Sequence, residues 1–251
     1  MKDKIFREYD IRGKVPSDIN EDVAYQIGLG YGSFLQEFLN QDACVVGRDC
    51  RLSSESLTNS LIKGLLETGL NVIDYGFITT PMHYYTRHVN NLFGIMVTAS
   101  HNPKDENGFK FSFDEFANAR GIMIKDLKTY IDKGLFKKGN GKLEHKNIKD
   151  DYINYVINGL KFGKKRIKVV LDPANGATTC IARSIFEKLN IDLTIINEEA
   201  DGNFPNQHPG TSLGGIVSFC PELQVSWHFY RNIPAYPLQN IRHSMNRTLS
   251  N

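Results

Sequence analysis

Short apolar runs ending in glycine or a polar turn alternate along this chain with longer stretches of helical periodicity. That alternation confines it to the α/β class. Residues 43–47 (ACVVG) suit a buried strand. After them Leu57, Leu61, Ile62 and Leu65 recur at helical spacing, with Ser53 and Ser54 as caps and Gly69 as the stop. Residues 71–74 form a second strand candidate, and Thr80-Pro81 reads as an N-cap and first helical position of a helix to about residue 90. Residues 94–99 (GIMVTA) form a third strand and 109–113 a partly exposed fourth; 121–133 and 148–160 read as helices. Ile167–Leu171, 177–189 and 191–196 then read as strand, helix and strand, and a helix over 22–39 precedes the whole series. Strands joined by helices of this length imply βαβ units. The expected fold is a three-layer α/β domain on a mainly parallel, mixed sheet, followed by a smaller, truncated α/β domain.

The stretch 137–149 (KKGNGKLEHKNIK) is the best linker, so the expected division is 1–150, then 151–209 as an incomplete second domain. The charge pattern breaks near residue 210. The last 41 residues hold three arginines, one glutamate and no lysine, with Trp227, Pro221, Pro234 and Pro237 and no clear period. We expect 210–251 to be an aberrant tail. A shift of reading frame would produce it, and a natural short relative with its own C-terminus is the alternative.

A net charge of +2 leaves no electrostatic footprint for nucleic acid or an anionic membrane. No apolar run reaches a membrane span, and the first ten residues lack a signal-peptide core. Cys44, Cys50, Cys180 and Cys220 contain no C-x-x-C pair and read as reduced thiols of a cytoplasmic protein.

The chemistry concentrates in residues 94–111, GIMVTASHNPKDENGFKF. An apolar strand delivers Ser100 to its C-terminal end, where open α/β sheets bind ligands. Pro103 stops the strand, and Asn107-Gly108 reads as the turn that brings Lys110 back to the loop. A serine, His101 and Lys110 on one loop suit phosphoryl transfer: a nucleophile, with cations to neutralise charge and move a proton. A polar turn between strands is the bland alternative. Acyl hydrolysis is disfavoured, because Thr98-Ala99 and His101-Asn102 stand where a nucleophile elbow needs glycines.

Residues 7–13 (REYDIRG) read as a loop whose Arg7, Tyr9, Arg12 and Gly13 could hold an anionic oxygen, or as a surface turn with local ion pairs. In residues 47–54 (GRDCRLSS) we expect Arg48, Asp49 and Arg51 to pair with one another or with neighbouring loops, rather than to bind phosphate. Asp172–Ala177 reads as turn chemistry. The seven histidines show no H-x-x-x-H or H-E-x-x-H spacing, and Gly28-Leu29-Gly30 lies inside a helical pattern, not a dinucleotide loop.

Six stretches in order, FREYDIRGKV (6–15), VVGRDCRLSS (45–54), ITTPM (78–82), GIMVTASHNPKDENGFKF (94–111), LDPANGA (171–177) and DGNFPNQHP (201–209), resemble the α-D-phosphohexomutase superfamily. The resemblance is to its N-terminal part, most closely in the bacterial phosphomannomutase/phosphoglucomutase branch. It implies an intramolecular phosphotransferase that interconverts hexose 1-phosphate and hexose 6-phosphate. Ser100 matches the phosphoryl-carrying serine, and hexose 1,6-bisphosphate is the intermediate and activator. His101 and Lys110 match residues beside it, Lys110 as a proton-transfer group; Tyr9 and Arg12 match the loop lining the cleft. Mg²⁺ would contact the phosphate on Ser100 and three aspartates of a D-G-D-x-D-R loop. No such motif occurs in this sequence, nor do the family's later sugar- and phosphate-binding loops.

Three functions therefore compete: a phosphohexomutase acting on mannose or glucose phosphate, an inactive remnant with weak sugar-phosphate binding, and an interaction module whose tail engages a partner. The expectation is family membership, with this 251-residue chain inactive by itself. The tail's lack of charge and of amphipathic repeat weakens the third.

Overall fold

A computed structural model describes residues 1–114, 119, 121–160 and 166–206. The expected tail, Cys220, Trp227, His208 and Pro209 lie outside these. The first sheet has six strands in the order β1 (Ile11–Lys14), β5 (Glu106–Phe111), β4 (Gly94–Val97), β2 (Ala43–Arg48), β3 (Asn71–Phe77), β6 (Leu143–His145). The pairs β4–β2, β2–β3 and β3–β6 are parallel; β1–β5 and β5–β4 are antiparallel. The sheet is thus mixed and mainly parallel, as expected. A second sheet pairs β7 (Ile167–Leu171) with β8 (Ile191–Ile195) in parallel.

Helices α1 (Glu21–Phe38), α2 (Ser54–Glu67) and α4 (Gly121–Lys133) share one apolar core with the sheet, centred on Ile27, Tyr31, Leu61, Val97, Phe109 and Ile124. The fully buried Tyr31 donates its hydroxyl to the Ser112 carbonyl at 2.5 Å. α1 and α2 meet through glycines: a Cβ on Gly28 would lie 2.3 Å from the Leu61 carbonyl oxygen, and one on Gly64 2.3 Å from that of Tyr25. The glycines at 28 and 64 thus serve the packing of α1 on α2, and Gly30 faces Ile131 of α4.

The second core runs from Val45, Met82 and Met96 through Tyr152, Ile153 and Val156 of α5 (Lys149–Gly159) to Val169, Leu171, Ile185 and Phe186. α3 (Thr80–Asn90) and α6 (Ala182–Phe186) complete its helices.

Local expectations shift in several places. The cap of α3 is Thr79, whose hydroxyl accepts from Met82 N, one residue before the expected Thr80. Ser53 and Ser54 do not cap α2 with their side chains; Ser54 Oγ instead donates to Asp49 at 2.5 Å. The expected helix over 177–189 is a 3₁₀ turn (Ala177–Cys180) followed by the short α6. Part of 7–13 is strand β1, and 143–145 of the expected linker add strand β6 to the sheet edge. Asn107-Gly108 is no turn: both lie inside β5, opposite Gly13 and Arg12. The reversal falls earlier, where Pro103 stops the chain and accepts from Glu106 N at 3.1 Å.

Candidate phosphoryl-transfer site

Strand β4 lies between β5 and β2, and its end delivers Thr98, Ala99 and Ser100 to one loop. Ser100 is exposed and has φ +58°, a left-handed conformation uncommon for a residue with a side chain. Its N–H donates to Thr98 Oγ1 at 2.9 Å, and Thr98 Oγ1 donates to Asp49 Oδ2 at 2.6 Å. The next turn closes with Asn102 N donating to the Ala99 carbonyl at 3.1 Å. The loop is therefore tied to the sheet beneath it while the serine hydroxyl faces outward.

Arg12 of β1 comes to this loop across β5. Its Nη1 donates to Asn102 Oδ1 at 2.7 Å and its Nη2 to Asp10 Oδ2. Its Nε is buried without a partner among the described residues, an unmet donor at the base of the loop. The 7–13 segment therefore has the local ion pair of its bland alternative, and it also sets Arg12 against the serine loop.

Lys110 sits on β5 opposite Met96 of β4, partly buried. Burial lowers its pKa below the usual lysine value; Asp10 raises it and Arg12 lowers it. Asp10, Arg12 and Lys110 thus form one electrostatic group, tied to the serine loop through the Arg12–Asn102 hydrogen bond. His101 is exposed beside Ser100. Tyr9 is 57% exposed, and its hydroxyl leans on Glu8, which raises its pKa. The structure brings Arg12 to the Ser100 loop and Lys110 within the electrostatic reach of Arg12, with His101 next to Ser100 in the chain, and leaves Tyr9 outside the bonded group.

Sequence reasoning missed Asn102, the bridge to Arg12, and Asp10, which is 7% exposed and pairs with it. The signal was there as a carboxylate two residues from an arginine at a strand start. Among the described residues no three His, Cys, Asp or Glu side chains converge on a metal position. The resemblance places the aspartate ligands of Mg²⁺ in a D-G-D-x-D-R loop, which this sequence lacks.

The family model for phosphoglucomutase/phosphomannomutase, alpha/beta/alpha domain I, matches residues 3–138, more than half of the chain. The chain belongs to this family. The phosphoglucomutase/phosphomannomutase model for domain II matches residues 150–217, running past Pro209. A phosphomannomutase/phosphoglucomutase of Pseudomonas putida is 40% identical over 213 residues, covering 83% of this chain and 45% of that protein. A phosphomannomutase of Vibrio cholerae is 36% identical, covering 83% and 47%. A crystal structure of a phosphoglucomutase/phosphomannomutase family protein from Burkholderia thailandensis superposes with a TM-score of 0.78 at 34% identity, covering 83% of this chain and 47% of that one. The chain spans about half the length of the family members it matches. Among the described residues no helix is long and apolar enough to cross a membrane.

Proposed function

We propose that this chain supplies the phosphoserine part of a phosphomannomutase/phosphoglucomutase site. Ser100 carries the phosphoryl group. In one half-reaction the Ser100 Oγ–P bond breaks as a P–O bond forms to a hydroxyl of a hexose monophosphate, giving the 1,6-bisphosphate. In the second, the other phosphoryl group returns to Ser100 Oγ and the isomeric monophosphate leaves. The sugar hydroxyl's proton passes to Lys110, whose lowered pKa raises the fraction of free amine able to accept it; Ser100 Oγ takes up a proton from solvent as its bond to phosphorus breaks, and both proton transfers reverse in the second half-reaction. Arg12 and His101 offset negative charge at the transferring group, and Tyr9 contacts the sugar phosphate from the cleft side.

The observation that carries this reading is the 2.7 Å hydrogen bond from Arg12 to Asn102, which fixes a cation on the loop of an exposed serine. Mannose and glucose phosphates are the substrate class, because phosphomannomutases and phosphoglucomutases are the relatives. A soluble cytoplasmic setting suits such substrates.

A chimera tests the reading: residues 1–206 of this chain followed by the remaining residues of the Pseudomonas putida relative. It should interconvert mannose 1-phosphate and mannose 6-phosphate and carry phosphate at Ser100. Ser100→Ala should abolish both, since the carrier is gone. A folded, active Ser100→Ala chimera would rule the proposal out.

A second reading rests on the lack of a metal-ligand cluster among the described residues: a 251-residue polypeptide that binds sugar phosphate weakly without turnover. Titration calorimetry with glucose 1,6-bisphosphate alongside the mutase assay separates the two. Turnover by this polypeptide within about tenfold of a full-length mutase would exclude the second, a margin of roughly 1.4 kcal/mol in barrier.

A further inference from the structure

Arg51 is 2% exposed, and all five of its guanidinium N–H donors have acceptors. Nε donates to Asp49 Oδ2 at 3.2 Å. Nη1 donates to the carbonyls of Pro103 at 2.6 Å and Glu106 at 3.0 Å. Nη2 donates to the carbonyls of Ser100 at 3.1 Å and Asn102 at 2.8 Å. Four of the five acceptors are therefore main-chain oxygens of the Ser100 loop. Arginine alone presents five donors in a rigid plane; lysine has three from a single point and cannot span this set.

The face of the same guanidinium is covered from the other part of the chain. The Phe204 ring lies beneath it, 5.5 Å from its carbon to the ring centroid. The segment carrying Phe204 rests on the Cys50–Leu52 turn, where a Cβ on Gly202 would come within 2.6 Å of Leu52 N and 2.7 Å of the Cys50 carbonyl oxygen. It is anchored to Asn175, whose carbonyl accepts from Asp201 N at 2.9 Å and from Cys50 Sγ at 3.6 Å. Ser100 and Phe204, on either side of Arg51, both have positive φ, +58° and +49°. Side-chain-bearing residues keep that conformation only where their surroundings hold it.

We propose that Arg51 is the positioning residue that holds Ser100 in its left-handed conformation, and that the 201–206 segment, through Gly202 and Phe204, keeps Arg51 in place. The second domain thereby sets the geometry of a loop in the first. Arg51 touches no reacting atom; it acts through the carbonyls behind Ser100. The proposal deepens the reading of Ser100 as phosphoryl carrier and rests on it for its functional meaning, but its test does not depend on turnover.

The test is amide hydrogen exchange on the full chain, with the HN–Hα coupling of Ser100 as a direct report of its φ. In Arg51→Lys the Ser100, Asn102 and Glu106 amides should exchange about tenfold faster, and in Phe204→Ala about threefold faster, as expected when a local opening becomes easier. The Ser100 coupling should move toward a coil average in both. Phe204→Tyr, which keeps the ring, should behave as wild type. Amides of β2 and β4 should be unchanged throughout. Uniform acceleration across β2 and β4 in Arg51→Lys would make Arg51 a folding residue and overturn the proposal. Wild-type exchange and coupling in Phe204→Ala would overturn the coupling to the second domain. An inactive chimera with these loop effects intact would instead count against Ser100 as carrier and leave the positioning role standing.

Discussion

Arg12 and Asn102 stand 90 residues apart in the chain and share a 2.7 Å hydrogen bond. That bond joins the first strand to the serine loop, and Asp10 holds the other end of the guanidinium. Arg12→Ala therefore leaves a carboxylate that is 7% exposed without its charged partner. We expect a stability loss of about 1–3 kcal/mol, the usual cost of stranding a buried charged hydrogen-bond partner. Urea denaturation of wild type and variant measures it; Asp10→Asn in the same background should recover part of the loss.

Lys110 should titrate below an ordinary lysine when followed by the ¹³C shift of its ε-carbon, because burial disfavours the ammonium. Asp10→Asn removes a charge that raises the pKa and should lower the midpoint further. Arg12→Ala removes one that lowers it and should raise the midpoint. The folded state binds the proton less tightly than the unfolded chain. Lys110's contribution to stability should thus rise with pH between its lowered pKa and the usual lysine value of 10.5. A midpoint above 10.5 would contradict the placement of this side chain.

His83 should make the fold acid-sensitive well above the carboxylate range. It is 2% exposed, its Nδ1 has no partner among the described residues, and burial holds its pKa down to about 3 against the usual histidine value of 6.5. The unfolded chain gains the proton first, so stability should fall as pH drops below 6.5, by up to about 1.4 kcal/mol per unit. Asp18, lowered to about 2 by Lys4 and Lys2, contributes the same sign only below the usual aspartate value of 3.8. Denaturation midpoints between pH 6.5 and 4.5 isolate the histidine, and His83→Phe should flatten that limb.

Gly28→Ala should destabilise, against the ordinary preference of helices for alanine. The new Cβ would lie 2.3 Å from the Leu61 carbonyl oxygen and force α1 from α2. A loss of about 1–3 kcal/mol is expected from such overpacking, where an exposed helical site would gain up to about 1 kcal/mol. A chemical denaturation curve decides the sign.

How much the sequence discloses depends on how many residues express a pattern. β2, β4, α1 and α2 are legible because their apolar positions repeat at strand or helix period. β1 escapes because four residues, two of them charged, carry no period, and β6 because its three residues are all exposed. Asn107-Gly108 misleads because its turn chemistry is put to other use: Asn107 Nδ2 reaches the hydroxyls of Ser53 and Ser54 at 2.9 and 3.0 Å. At the site, Ser100 and Lys110 announce themselves by type and spacing. Residues 47–54 disclose that Arg51 pairs with Asp49 and with a neighbouring loop, but not which loop, since its other partners are carbonyls about 50 positions away, which no side-chain pattern encodes.

The apolar cluster that begins at Val45 and Met96 and ends at Leu171 and Phe186 has no gap at the junction of the two sheets; Tyr152, Ile153 and Val156 of α5 fill it. Cooperativity follows from that continuity. A two-stranded sheet is marginal alone, and here it melts only when α5 leaves the first sheet. Residues 1–206 should give one calorimetric peak, with calorimetric and van't Hoff enthalpies in agreement. Truncation before α5 would then lower the midpoint of the remainder as well, by uncovering Val45 and Met96.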